Sequence, residues 1–67
     1  MEIHRVNSSA ILSIGYDGAT KRMQITFKQG HSYDYCRVPP HVFQAFLTAR
    51  SKGSYYNNYI KGMYDCY

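Results

Sequence analysis

The 67-residue sequence has no tryptophan, only two prolines and two cysteines, and only four acidic residues. Each scarcity excludes something. Cys36 and Cys66 form no C-x-x-C pair and nothing marks the chain as exported, so both are expected to be thiols. Their spacing to each other and to His4, His31 and His41 matches none of the usual zinc ligand pairs, so neither a metal nor a cofactor is expected. The acids Glu2, Asp17, Asp34 and Asp65 form no evident acid–base pair, and nothing in the sequence pairs the histidines. Cys36 stands beside the cation of Arg37, which favours a thiolate, but has no recognisable base. The protein is therefore expected not to be an enzyme. No apolar stretch approaches the ~20 residues of a membrane span, and Met1-Glu2-Ile3-His4-Arg5 lacks the apolar core of an export signal. A cytoplasmic protein with no membrane association is expected.

What is present bounds the rest. Residues 1–67 make one domain, since a chain this short folds to roughly 4,400 Å² of surface from roughly 11,300 Å² and buries only about 60%. Hydrophobic residues are 45% and aromatic residues 16% of the chain, with eight tyrosines, so the core must be rich in tyrosine. Eight Lys and Arg against four acids leave a net charge of +4, which favours an anionic partner. The cations are spread along the chain, with no run longer than Lys21-Arg22, so there is no polybasic tail.

Periodicity predicts an α+β fold, a three-stranded antiparallel meander followed by two helices packed on one face. Residues 1–7 read as a loosely docked arm. In residues 10–16 the even positions Ala10, Leu12, Ile14 and Tyr16 form the buried face of a first strand, and Asp17-Gly18 begins a turn. Residues 22–28 alternate cleanly, with Met23, Ile25 and Phe27 inward. The next turn has two possible registers. A two-residue loop at Gln29-Gly30 needs positive φ at both positions, which Gln29 resists, so a three-residue loop with a left-handed Gly30 is expected. It sets Ile25 opposite Tyr33 and Met23 opposite Tyr35, and both tyrosines then join the core face. Pro39-Pro40 ends the sheet and opens a helix over 41–52, with Val42, Phe43, Phe46, Leu47 and Ala49 on one stripe and Gly53 as its stop. Ser54 is read as the cap of a second helix that buries Tyr56, Tyr59, Ile60 and Met63, leaving Tyr55, Tyr64 and Tyr67 nearer the surface.

Three stretches taken together carry a family resemblance. They are Val6-Asn7-Ser8-Ser9-Ala10-Ile11 running to Gly15-Tyr16-Asp17, Phe27 to Pro39 with its Tyr33-x-Tyr35, and Ala49-x-Ser51-x-Gly53-x-x-x-Asn57. In them the chain resembles the KTSC domain family over nearly its whole length. Such domains occur as a C-terminal appendage of some lysyl-tRNA synthetases and, more often, as small stand-alone bacterial or phage proteins, the form this chain looks like. The resemblance implies an RNA-binding role and assigns no catalytic residue to the matching positions Tyr33, Tyr35, Val38, Pro39, Gly53 and Asn57.

The leading candidate site is residues 50–58, where two cations, a glycine, two tyrosines and two amides meet between the helices. There Arg50 and Lys52, with Lys61, are candidates to contact RNA phosphates, Tyr55 or Tyr56 to stack bases, and Asn57 to bind beside them. Backbone N–H groups at the start of the second helix would add an anion site. The plain structural reading of the same stretch is a helix stop and restart with solvated charges. Arg22, Lys28 and Arg37 form a secondary basic sheet face that Asp34 partly neutralises. Tyr33-x-Tyr35 is read first as core and second as a platform for bases. The alternative function is a protein-interaction module or a phage or bacterial regulatory inhibitor, with Tyr55, Tyr59, Tyr64 and Tyr67 as anchors. Pairing of an exposed edge strand with a second copy stays open.

Overall fold

The computed structural model describes residues 1–66, and among these four strands pair antiparallel in chain order. They are β1 (Glu2–Arg5), β2 (Ile11–Asp17), β3 (Arg22–Phe27) and β4 (Ser32–Tyr35). The helical layer is α1 (Pro40–Thr48), then α2 (Lys52–Tyr55), which runs directly into a π-helical turn, Tyr56–Ile60. The architecture is α+β as the periodicity requires, with one strand more than expected. The accessible surface is 4532 Å².

The β3–β4 hairpin adopts the three-residue loop. The Phe27 N–H donates to the His31 carbonyl at 2.8 Å, the Gly30 N–H donates to the Phe27 carbonyl at 2.9 Å, and Gly30 sits at φ +99°. Met23 consequently faces Tyr35, and Ile25 faces Tyr33. Only Tyr35 reaches the core. It is 4% exposed, whereas Tyr33, two residues nearer the turn and beyond the cover of the helices, is 52% exposed.

The N-terminal arm is the added strand. Glu2 pairs with Tyr16 and Arg5 with Ser13. Gly15 makes room for it: a Cβ there would come within 2.6 Å of Ile3 and 2.8 Å of Met1. The start of β2 also departs from simple alternation. A bulge between Ile11 and Ser13 sets Ile11 opposite Phe27, so Ile11 is fully buried while Leu12 and Ala10 are exposed. One extra residue on the bulged strand moves every side chain before it to the other face.

Helix α1 buries Val42, Phe43 and Phe46. Phe43 stacks on Tyr16 with ring centroids 4.4 Å apart, and the Tyr16 hydroxyl donates to the Val38 carbonyl at 2.6 Å. The helix ends at Thr48, earlier than expected: the Thr48 hydroxyl donates back to the carbonyls of Gln44 and Ala45, and Ala49 is extended. This local alternative to the helical ladder ends the helix four residues before the expected last residue, Lys52. Gly53 lies instead inside α2, and the cap is Ser51, whose hydroxyl accepts from the Ser54 N–H at 3.3 Å. The π-turn then shifts the phase. The Lys61 N–H donates to the Tyr56 carbonyl at 2.8 Å, five residues back, so Ile60 points in while Tyr59 and Met63 point out. Tyr55 and Tyr64 are half-buried against the core, contrary to the 3.6-residue period. Tyr67 lies outside the described residues.

After Ile60 the chain returns to the free edge of β4. Asp65 bridges to Tyr35, the Cys36 N–H donates to the Tyr64 carbonyl at 2.7 Å, and Cys36 is disulfide-bonded to Cys66 with Cα atoms 4.9 Å apart. The cysteines are therefore a crosslink rather than thiols. The sequence separation of 30 hid a juxtaposition that the returning strand creates.

Two outcomes test this description. Closing a loop of that length removes chain entropy worth about 3–4 kcal/mol, so the Cys36→Ala, Cys66→Ala double variant should lose stability of that order in a urea titration; an unchanged midpoint would mean that the bridge does not form. Gly30→Val, which forces a β-branched residue into the left-handed region, should cost more than about 1 kcal/mol in the same titration.

Candidate functional site

Two strand connections and the helix junction meet at one end of the sheet. The Lys28 N–H donates to the Ala10 carbonyl at 2.9 Å, which joins the β3–β4 turn to the β1–β2 loop. Against that loop lies the α1–α2 junction. Asn7, Ser8 and Ser9 on one side and residues 50–53 on the other line a groove of about 210 Å³. A second, more open recess of about 340 Å³ adjoins it through Asn7 and Lys52 and adds His4, Arg5 and Leu47. The loop is shaped by Ser8, whose hydroxyl accepts from the N–H groups of Ala10 and Ile11, both at 3.2 Å.

The charge distribution follows from this topology. Arg5, Lys28, Arg50 and Lys52 all belong to this end of the sheet. The other four cations, Lys21, Arg22, Arg37 and Lys61, share the remainder of the molecule with all four acids. Most of the chain's net +4 therefore lies towards this end, where the Glu2 carboxylate approaches only at His4, 3.2 Å away.

The structure brings some candidate residues together and separates others. Arg50 is exposed at the groove, and Lys52 is half-buried with its ammonium donating to the Ala49 carbonyl at 2.5 Å. Lys52 thus fastens the end of α1 and also charges the groove. Asn57 is exposed one helical turn beyond Gly53. Lys61 is not part of the group: it follows the far end of the π-turn, about 13 Å along the axis from Lys52 at helical rise. Nor do Tyr55 and Tyr56 present free rings. Tyr55 stacks on Phe46 at 5.5 Å and its hydroxyl donates to the Val42 carbonyl, while Tyr56 lies edge-on to Phe27 and shares a 2.8 Å hydroxyl–hydroxyl bond with Tyr35. With four residues, α2 is too short to add a dipole-based anion site.

The secondary face divides similarly. Lys28 belongs to the basic end, whereas Arg22 pairs with Asp34 at 3.7 Å and Arg37 lies beside the disulfide and Asp65. The residues that sequence reasoning missed are Arg5 and Asn7–Ser9. Their signal was present in the Asn-Ser-Ser run before β2, but nothing local connects that run to the helix junction. Among the described residues, no three of His, Cys, Asp and Glu gather closely enough to hold a metal ion. No helix among them is long and apolar enough to cross a membrane.

Fold and groove together define a small α+β domain with one predominantly cationic end. The chain belongs to the KTSC domain family, whose family model matches residues 7–64. A protein of Tsukamurella paurometabola is 43% identical over 56 residues, 84% of each chain. A lysine–tRNA ligase of Nostoc punctiforme is 38% identical over 56 residues, which make up 84% of this chain but 10% of the ligase. The crystal structure of a KTSC domain protein from Yersinia pestis matches with a TM-score of 0.90 at 40% identity, over 94% of this chain and 89% of that one.

The Tyr35–Tyr56 pair yields a pH prediction. Burial, first, and then the hydrogen bond shared with the Tyr56 hydroxyl raise the Tyr35 hydroxyl well above its ordinary 10.0. The folded state thus holds this proton more tightly than the unfolded state, so the stability it contributes is whole below pH 10.0 and is lost as pH rises towards the folded value. Urea midpoints should fall above that pH, and Tyr35→Phe should flatten the decline; an equally steep decline in the variant would assign it to other groups.

Proposed function

We propose that this KTSC domain is a non-enzymatic module that binds nucleic acid, RNA in particular, through the groove between the β1–β2 loop and the α1–α2 junction. The observation that supports this reading is the segregation of charge. Arg50 and Lys52 line a polar groove with hydroxyl and amide side chains, Arg5 lines the adjoining recess, and no carboxylate lines either, although Glu2 reaches the recess residue His4 at 3.2 Å. A phosphodiester backbone meets such a surface with favourable Coulomb energy and releases its own counterions on binding. The family relationship points the same way, since relatives of the domain lie within proteins named lysine–tRNA ligase. Arg50, Arg5 and Lys28 reach for phosphates, Lys52 supplies a fixed charge at the groove wall, and Asn7 and Asn57 offer amides to bases or sugars. We assign the module to the cytoplasm, where the Cys36–Cys66 crosslink has to persist against a reducing thiol pool.

Exposed Tyr59 in the π-turn and Met63 after it, spaced four apart, favour a protein partner as the second reading. Retention of a partner after nuclease treatment of the complex would separate the two.

The test is a titration of labelled single-stranded RNA at several salt concentrations. Four phosphate contacts give a slope of log affinity against log salt of about −3. Arg50→Ala and Arg5→Ala should each weaken binding and reduce that slope by about 0.7, whereas Lys61→Ala, at the other end, should leave it unchanged. No binding at low salt would end the proposal.

A further inference from the structure

The tyrosines divide by what their hydroxyls do. Those of Tyr16, Tyr35, Tyr55 and Tyr56 each take a protein partner, and their rings are buried or half-buried. Tyr33 differs. It is 52% exposed, and among the described residues its hydroxyl makes no hydrogen bond. Its position explains the exposure: the residue stands on the inner face of an edge strand, beyond the reach of α1, so the hairpin register that buries Tyr35 leaves this ring uncovered. The ring is nevertheless held. Phe27 meets it in a T-shaped contact at 5.7 Å, and Phe27 is itself braced edge-on by Tyr56 at 5.4 Å. The His31 ring lies 6.4 Å away on the side of the turn.

A braced, half-open aromatic ring at the same end as a predominantly basic surface has a definite chemical complement. Tyr33 stands two residues from His31, whose carbonyl closes the turn that contains Lys28, and Lys28 is bonded through its backbone to the β1–β2 loop of the groove. The ring therefore stands at the same end of the sheet as the groove, on the β4 edge across the β3–β4 turn from it. We infer that Tyr33 is a stacking subsite for an unpaired base, so that the module takes single-stranded nucleic acid, phosphates on the groove and one base on the ring. This rests on the nucleic-acid reading above and makes it more specific. A duplex keeps its bases inside the stack and offers the ring nothing, whereas a single strand offers a π-face whatever its sequence. Because T-shaped packing engages the Tyr33–Phe27 pair by an edge and a face, open area remains for a base to lie flat.

The experiment uses the full chain and three labelled probes: a short single-stranded RNA, the same strand with abasic sites, and its duplex. Tyr33→Ala should weaken the base-bearing single strand about tenfold to a hundredfold while leaving the abasic strand and the duplex unaffected. Tyr33→Phe, which keeps the ring, should bind as the parent does. A 2-aminopurine in the strand should lose fluorescence on binding to the parent and to Tyr33→Phe but not to Tyr33→Ala. Thermal melts should show the exposed-site variants folded. If Tyr33→Ala binds the base-bearing strand as tightly as the parent, the stacking subsite is refuted while the phosphate reading stands, and the ring is returned to a protein contact. If the parent itself binds none of the probes at low salt, both fall together.

Discussion

The left-handed conformation of Gly30 is the constraint on which most of this structure depends. It makes the β3–β4 connection a three-residue loop, and side chains in a strand alternate with a period of two. That loop alone puts Tyr35 on the core face. Tyr35 in turn gives Tyr56 a hydroxyl to bond and fixes the height at which the π-turn lies against the sheet. The same register brings the edge of β4 to the returning C-terminal segment, where the Asp65 bridge and the disulfide follow. A loop one residue shorter would turn these contacts outward together.

The electrostatics are a product of topology rather than of composition. The cations are scattered through the chain, and no segment is notably basic. Antiparallel pairing with short connections collects the β1–β2 loop, the β3–β4 turn and the helix junction at one end, and these segments hold no acid. Elsewhere the remaining cations stand near carboxylates, as Arg22 does with Asp34. A modest net charge thereby becomes a concentrated one, and over distances shorter than the Debye length of about 8 Å the concentration is what an anionic ligand meets.

The core is small, and it is supported by polar bonds at its rim as well as by apolar contact. No polar or charged residue is among the buried set, yet the tyrosines carry hydroxyls to its edge and satisfy them there. This accommodates large aromatic area in a thin two-layer fold while leaving the Tyr16, Tyr35, Tyr55 and Tyr56 hydroxyls partnered. The disulfide ties down the segment that the core holds least, since among the described residues none beyond Ile60 is buried.

Local chemistry determined the clean alternation of β3, the hairpin register through Gly30, the start of α1 at Pro40 and its buried stripe of Val42, Phe43 and Phe46. These are properties of neighbouring residues, and the α+β class and the family resemblance follow from them. Where the reading failed, a distant partner decided. The arm is a strand because β2 had an open edge and Gly15 had room for Met1 and Ile3. Leu12 faces outward because a bulge answers the register of β3. The second helix adopts π geometry that no helical period anticipates, which exposes Tyr59 and half-buries Tyr55. Residues 50–53 were legible as a candidate site, but not their partners Arg5 and Asn7–Ser9, more than forty positions away in the chain. Spacing along a sequence records only local geometry, whereas a disulfide across 30 residues and a groove between two loops exist only once the sheet has brought its ends together.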